Sequence, residues 1–202
     1  MKKVKTVISL LLTLTVIFTL TGCGEVKKAE TSVNGMFAAF KQLNFEEAKK
    51  YVNVDDITAS NDENTANAEV IMKNVFGNLN YEIISSKKID NNNVVVKTKI
   101  TATDMKPVMG DFFAKALKYA FSNAFSDPQP TEEETNAKME EILAECASKP
   151  DLATVTNEVD IKVVKNDNKE WKINADDAFI NAVLGGLKDA AEEMSKSFDT
   201  AE

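Results

Sequence analysis

The sequence predicts an α+β domain, a curved antiparallel sheet packed by helices, with a two-helix insertion and a C-terminal helix. Three observations carry this. Apolar residues recur three and four apart over the first third of the chain after its N-terminal apolar run, as on one face of a helix. The period then switches to two over Tyr81 to Thr103 and again over Leu152 to Asn174, with an Asn- and Asp-rich turn inside each stretch. Strands therefore come in hairpins between blocks of helix, the order expected of an antiparallel sheet with helices segregated to one side.

The first helix is read as starting near Ala29, after a polar tether over 23–30. Its apolar stripe is Val33, Met36, Phe37, Phe40 and Leu43. Asn44 with Glu47 three residues on reads as a capping box for a short second helix, whose apolar side is Phe45, Ala48, Tyr51 and Val52. The acidic stretch 53–64 reads as a solvated loop. It lacks the glycine and the ligand spacing of a calcium loop. A third helix over 65–76 presents Ile71, Met72, Val75 and Phe76, and Gly77 is its stop signal. The hairpin that follows turns at Asp90 to Asn93, where asparagine tolerates a left-handed backbone.

Asp104 caps the next helix, and Pro107 stands in its first turn. Its apolar face is unusually wide, taking in Val108, Met109, Phe112, Phe113, Ala116, Leu117, Ala120, Phe121, Ala124 and Phe125. Such a helix must bury two sides or offer one to a partner. Asp127-Pro128-Gln129-Pro130 ends it. Thr131 and Glu134 form a capping box for a helix carrying Met139, Ile142, Leu143 and Cys146, and the pair makes an insertion over about 105–148 that is expected to pack across the sheet. In the strand from Leu152, Val155, Val159, Ile161 and Val163 share a dry face, and Thr154, Thr156, Glu158, Asp160 and Lys162 a wet one. Trp171 and Ile173 return on the dry side. A last helix carries Phe179, Val183, Leu184, Leu187, Ala190, Ala191 and Met194, interrupted by Gly185-Gly186. Each glycine costs about 1 kcal/mol in a helix interior, so the pair implies a kink or a close backbone approach.

At the N-terminus, Lys2, Lys3 and Lys5 precede an apolar run from Val7 to Leu20, which ends at Leu20-Thr21-Gly22-Cys23. The run falls short of the ~20 residues a spanning helix needs. These first 23 residues resemble a bacterial lipoprotein signal. The resemblance implies that 1–22 is removed, that Cys23 takes a diacylglyceryl group, and that 31–202 is a single domain lipid-anchored at the outer face of the cytoplasmic membrane. The lysine-only basic set and the many asparagines associate weakly with a Gram-positive cell surface.

Removing three lysines takes the formal charge of the chain from −8 to −11. That charge speaks against nucleic acid and anionic headgroups as partners, since a nucleic-acid binder needs a basic stripe. There is no arginine and no histidine. Bidentate guanidinium clamps, imidazole bases and His-containing zinc sites are therefore excluded. No cofactor and no metal site is expected, and any catalysis would fall to Asp, Glu, Lys, Tyr or Cys146. Cys146 has no disulfide partner once Cys23 is lipidated, and it reads as a small buried hydrophobe.

Met36-Phe37-Ala38-Ala39-Phe40, Phe45 to Tyr51, the 81–103 hairpin and Glu170-Trp171-Lys172-Ile173 together resemble exported members of the nuclear-transport-factor-2-like (cystatin-like roll) superfamily that occur as bacterial lipoproteins. The resemblance implies a cone-like cavity lined by Phe40, Tyr51, Tyr81 and Trp171 that holds a small apolar ligand or nothing, and hence a membrane-anchored binding or interaction module; taken as residues alone, the four aromatics read first as core. The alternatives are an enzyme with a carboxylate base, for which Asp176 and Asp177 are nearest, and a structural envelope protein docking a partner through the insertion. Both aspartates read first as helix N-terminal carboxylates. The insertion and the C-terminal helix depart from the family pattern.

Overall fold

The computed structural model describes residues 24–52 and 66–199. Cys23, the stretch expected to be a signal and the stretch 53–64 expected to be an acidic loop lie outside the described residues. The elements are α1 (Gly24–Lys41), α2 (Phe45–Ala48), α3 (Ala66–Gly77), β1 (Asn80–Lys88), β2 (Asn93–Thr103), α4 (Met105–Asn123), α5 (Glu132–Ala147), β3 (Thr154–Lys165), β4 (Trp171–Asn174), α6 (Asp177–Val183) and α7 (Leu187–Asp199). The four strands form one curved antiparallel sheet in chain order, with a bulge in β1 between Ile83 and Ser85. The fold is α+β, as the periodicity indicates.

One face of the sheet is dry. Val94, Val96, Thr98, Ile100 and Ala102 of β2 are buried beside Val159, Ile161 and Val163 of β3 and Trp171 and Ile173 of β4. Helices α1, α3 and α6 cover that face. The expected stripe of α1 is fully buried at Val33, Met36, Phe37 and Phe40. Polar contacts fix the helix along β1: Glu25 pairs with Lys88 at 3.6 Å, Ser86 donates to Glu30 at 2.7 Å, and Tyr81 donates to Asn34 at 2.7 Å. Ser32, buried in mid-helix, donates to the Trp171 carbonyl at 2.8 Å and ties α1 to the far edge of the sheet. The other face is wet, with Lys97 and Glu158 paired at 3.0 Å and Thr101 bonded to Thr156 at 2.9 Å.

Three expectations need correction. Helix is already present from Gly24, so the residues after Cys23 in the 23–30 stretch are no polar tether. Val26 packs on the core and Ala29 is buried, and that burial extends the helix beyond what its own composition would support. The Asn44–Glu47 box is only half made. Asn44 accepts from the Glu47 N–H at 3.0 Å, but its own N–H caps the end of α1 at the Ala39 carbonyl, and the Glu47 carboxylate pairs with Lys50 instead. The insertion does not lie across the sheet: α4 packs on α5 and α7, and α5 packs on α3. The dry face is already occupied, and laying an apolar helix on the wet one would desolvate its charges.

Gly185 and Gly186 separate α6 from α7 with φ of 58° and 81°. Gly185 accepts from the Met105 N–H at 2.9 Å, and a Cβ there would lie 1.7 Å from the Thr103 carbonyl oxygen. The close-approach reading holds for Gly185. Gly35 has a similar role that the sequence did not advertise. A Cβ on it would stand 2.4 Å from the Tyr51 ring, so any larger residue would have to push that ring aside.

Gly185→Ala combines left-handed strain with a backbone clash and should cost about 2 to 5 kcal/mol. At Gly186 nothing stands within 4 Å of an added Cβ, and alanine there should cost only the strain, about 1 to 2 kcal/mol. Urea denaturation of the two variants checks the order, and equal midpoints would contradict the clash.

Candidate functional site

The four cavity residues expected from the sequence do not surround an open chamber. Phe40 is fully buried and stacks on Phe76, with centroids 5.3 Å apart, and Phe45 joins the same cluster. Tyr81 stacks on Phe37 at 4.2 Å and 8°, and burial pushes its phenol above the usual value. Tyr51 covers Gly35 and donates to Glu47 at 3.2 Å. Trp171 is 6% exposed, and its indole N–H is buried without a hydrogen-bond partner. Phe37 and Phe40 of α1 fill the space that an open cone would need.

The carboxylates proposed as a base are engaged elsewhere. Asp176 caps α6 by accepting from the Phe179 N–H at 3.1 Å and pairs with Lys162 at 2.9 Å. Partial burial pushes this carboxyl up, but the hydrogen bonds from Lys162 and Phe179 more than offset it, and it sits below its ordinary value. Asp177 pairs with Lys188 at 2.7 Å. Asp176, held below its ordinary value, does not resemble a base poised near neutrality. Cys146 is fully buried. Burial pushes its thiol up against the opposing pull of Lys115 and Lys149, which describes an inert packing residue. Among the described residues no cluster of carboxylates and thiol could hold a metal, and no helix is long and apolar enough to cross a membrane.

A concave feature lies on the insertion. Helices α4 and α5 run antiparallel, joined by ion pairs between Lys115 and Glu145 at 2.6 Å and between Lys149 and Asp111. The base of this hairpin is buried in the core through Met105 and Val108 of α4 and Ile142, Cys146 and Ala147 of α5, and Phe112, Tyr119, Met139 and Leu143 pack against it, partly buried. Towards the tip the helices leave a groove of about 450 Å³, walled by Phe113, Ala116, Ala120 and Ala124 against Met139 and closed by Gln129 and Pro130. Beside it an uncovered ridge runs down α4 and into the turn after it, with Leu117 37%, Phe121 74% and Phe125 98% exposed. The wide apolar face was visible in the sequence. That half of it would stay exposed was not, because periodicity reports a face and not what is free to cover it.

No family model matches the chain, and no curated protein matches it. Among solved structures the chain is similar to a putative lipoprotein of Bacillus subtilis at 16% identity and a TM-score of 0.40. The match covers 85% of this chain and 54% of that one, so the chain spans about half that structure's length. A likeness of that size fixes neither a shared fold nor a shared role.

Trp171→Ala should cost about 3 to 5 kcal/mol, as for other large buried aromatics. Trp171→Phe should cost less than about 2 kcal/mol, since no indole hydrogen bond is lost. An unchanged denaturation midpoint in the alanine variant would contradict the core assignment. Because the folded pKa of Asp176 is depressed, its carboxylate contributes stability above the unfolded pKa, and this is lost as pH falls through the lower folded value. Asp176→Asn keeps the cap and removes the ion pair, so it should flatten that acid limb, whereas Asp176→Ala should also cost about 1 kcal/mol at neutral pH. An acid limb unchanged in the asparagine variant would contradict the pairing.

Proposed function

We propose that the chain is a lipoprotein anchored through Cys23 at the outer face of the cytoplasmic membrane, and that it acts as an interaction module whose α4–α5 hairpin docks an envelope protein. The charged, apolar and Leu20-Thr21-Gly22-Cys23 sequence of the first 23 residues supports the anchor. The observation that carries the docking role is the ridge of Leu117, Phe121 and Phe125 beside the groove. Large aromatics left uncovered on a helix mark a contact surface. A small apolar ligand could enter the groove but would leave Phe125 in water, so a protein partner accounts for more of the surface.

The partner's chemistry follows from the rim. Asp127, Glu132, Glu133 and Glu134 stand exposed where the two helices join. The complementary segment is apolar and flanked by lysine or arginine, with the rim charges steering encounter and the aromatics holding the complex. A cone cavity for a ligand and a carboxylate enzyme remain the less supported readings, because the residues each needs are already engaged.

Cys23→Ala should release the protein from membranes or block its processing. Membrane association at the wild-type level would overturn the lipid anchor. For the hairpin, a photo-crosslinking side chain at position 125 should give a discrete protein adduct in cells, weakened by salt and abolished by Phe121→Asp. No adduct, or one indifferent to Phe121→Asp, would overturn the docking role. A small apolar molecule that co-purifies and is lost in Phe113→Asp would transfer the groove to a ligand.

A further inference from the structure

The antiparallel run of α1 along β1, from Glu25 beside Lys88 to Asn34 beside Tyr81, puts the start of the helix at one end of the sheet. Both hairpin turns lie at that end, where Lys165 donates its N–H to the Asn92 carbonyl at 2.8 Å. The insertion is rooted at the other end, after Thr103 and before Thr154. Helix is present from Gly24, the residue bonded to Cys23. Buried Ala29 and Val33 and the polar contacts to β1 and β4 hold α1 in place, so it cannot swing out as a leash.

Charge is distributed to match. Nine described lysines form no ion pair, and five of them, Lys27, Lys28, Lys87, Lys165 and Lys169, lie at the turn end; Lys41, Lys73, Lys99 and Lys118 are spread over the rest. Over 24–30, 86–93 and 165–170 there are six lysines against five carboxylates, one net positive charge, in a chain whose formal charge without Lys2, Lys3 and Lys5 is −11. The acidity is therefore all elsewhere. With screening over about 10 Å at 0.1 M salt, a surface feels the end presented to it and not the net charge. The exclusion of anionic headgroups drawn from overall charge does not extend to this end.

We infer that the turn end of the sheet is a lipid-facing surface that rests on anionic headgroups, with the acidic helices held away from the bilayer. This rests on the lipid anchor proposed above. An acyl group on Cys23 is joined to the packed helix without intervening residues, so the bilayer meets the turn end first. Unpaired lysines close to the surface are then attracted to anionic lipid.

The test uses the lipidated full-length product reconstituted into phosphatidylcholine vesicles containing phosphatidylglycerol, compared with a variant carrying a flexible Gly-Ser spacer of roughly ten residues between Cys23 and Gly24. Lysine acylation by a water-soluble reagent is read site by site by mass spectrometry. Lys27, Lys28, Lys87, Lys165 and Lys169 should react several-fold more slowly in the wild type than in the spacer variant, with Lys41, Lys73 and Lys118 unchanged. The difference should shrink on pure phosphatidylcholine. If both proteins float with the vesicles but the five lysines react alike, the lipid-facing surface is overturned and the anchor stands. Equal protection on neutral vesicles overturns the role of anionic lipid. If the wild type does not float, the anchor itself is wrong, and this surface falls with it.

Discussion

Everything in this fold follows from a sheet that has one dry face. Its strands alternate so that β2 and β3 put valine and isoleucine on one side and lysine, glutamate, aspartate and threonine on the other. That dry side has room for few helices. α1 takes it along β1 and reaches across to β4 through Ser32, and α3 and α6 take what remains. The wet side cannot accept an apolar helix without stripping water from charges such as Lys97 and Glu158. The two helices inserted between β2 and β3 are thereby excluded from the sheet and must pack on other helices.

That exclusion moves the functional question from the interior to the periphery. The concave sheet that could have held a ligand is filled by Phe37 and Phe40, and the residues expected to line it are core aromatics. The hairpin keeps its base in the core and its tip outside, so a groove and an aromatic ridge are displayed on a stable root. A close junction lies at that root. Thr103, Met105 and Gly185 meet where the end of β2, the insertion and the C-terminal helices converge, and only glycine fits the middle of it.

Much of this was legible in the sequence. The stripe of α1, the alternation of β3, the caps at Asp104 and Thr131 and the break at Gly185-Gly186 are local signals, and each is met by the contact it implied. What was not legible depends on relations between distant segments. Gly24 to Lys28 looks like a polar tether, and it becomes helical through the contacts of Val26, Ala29 and Glu25 with the rest of the protein. The apolar face of α4 was plain, but its fate was decided by α1, α3 and α6, which occupy the dry face of the sheet. The lysines at the turn end come from three stretches that only the topology joins. Gly35 carried no local signal, because its reason is the ring of Tyr51, which arrives from a later stretch of the chain.

The central claim is that the aromatic ridge of α4 belongs to the surface and not to the core. Equilibrium urea unfolding of a Leu117→Ser, Phe121→Ser, Phe125→Ser triple variant addresses it most directly. Surface substitutions shift stability by about 0.5 kcal/mol or less each, so the midpoint should stay close to that of the wild type, with the same slope. A loss of several kcal/mol, of the order that deleting even one buried phenylalanine produces, would place the ridge inside the fold and contradict the account.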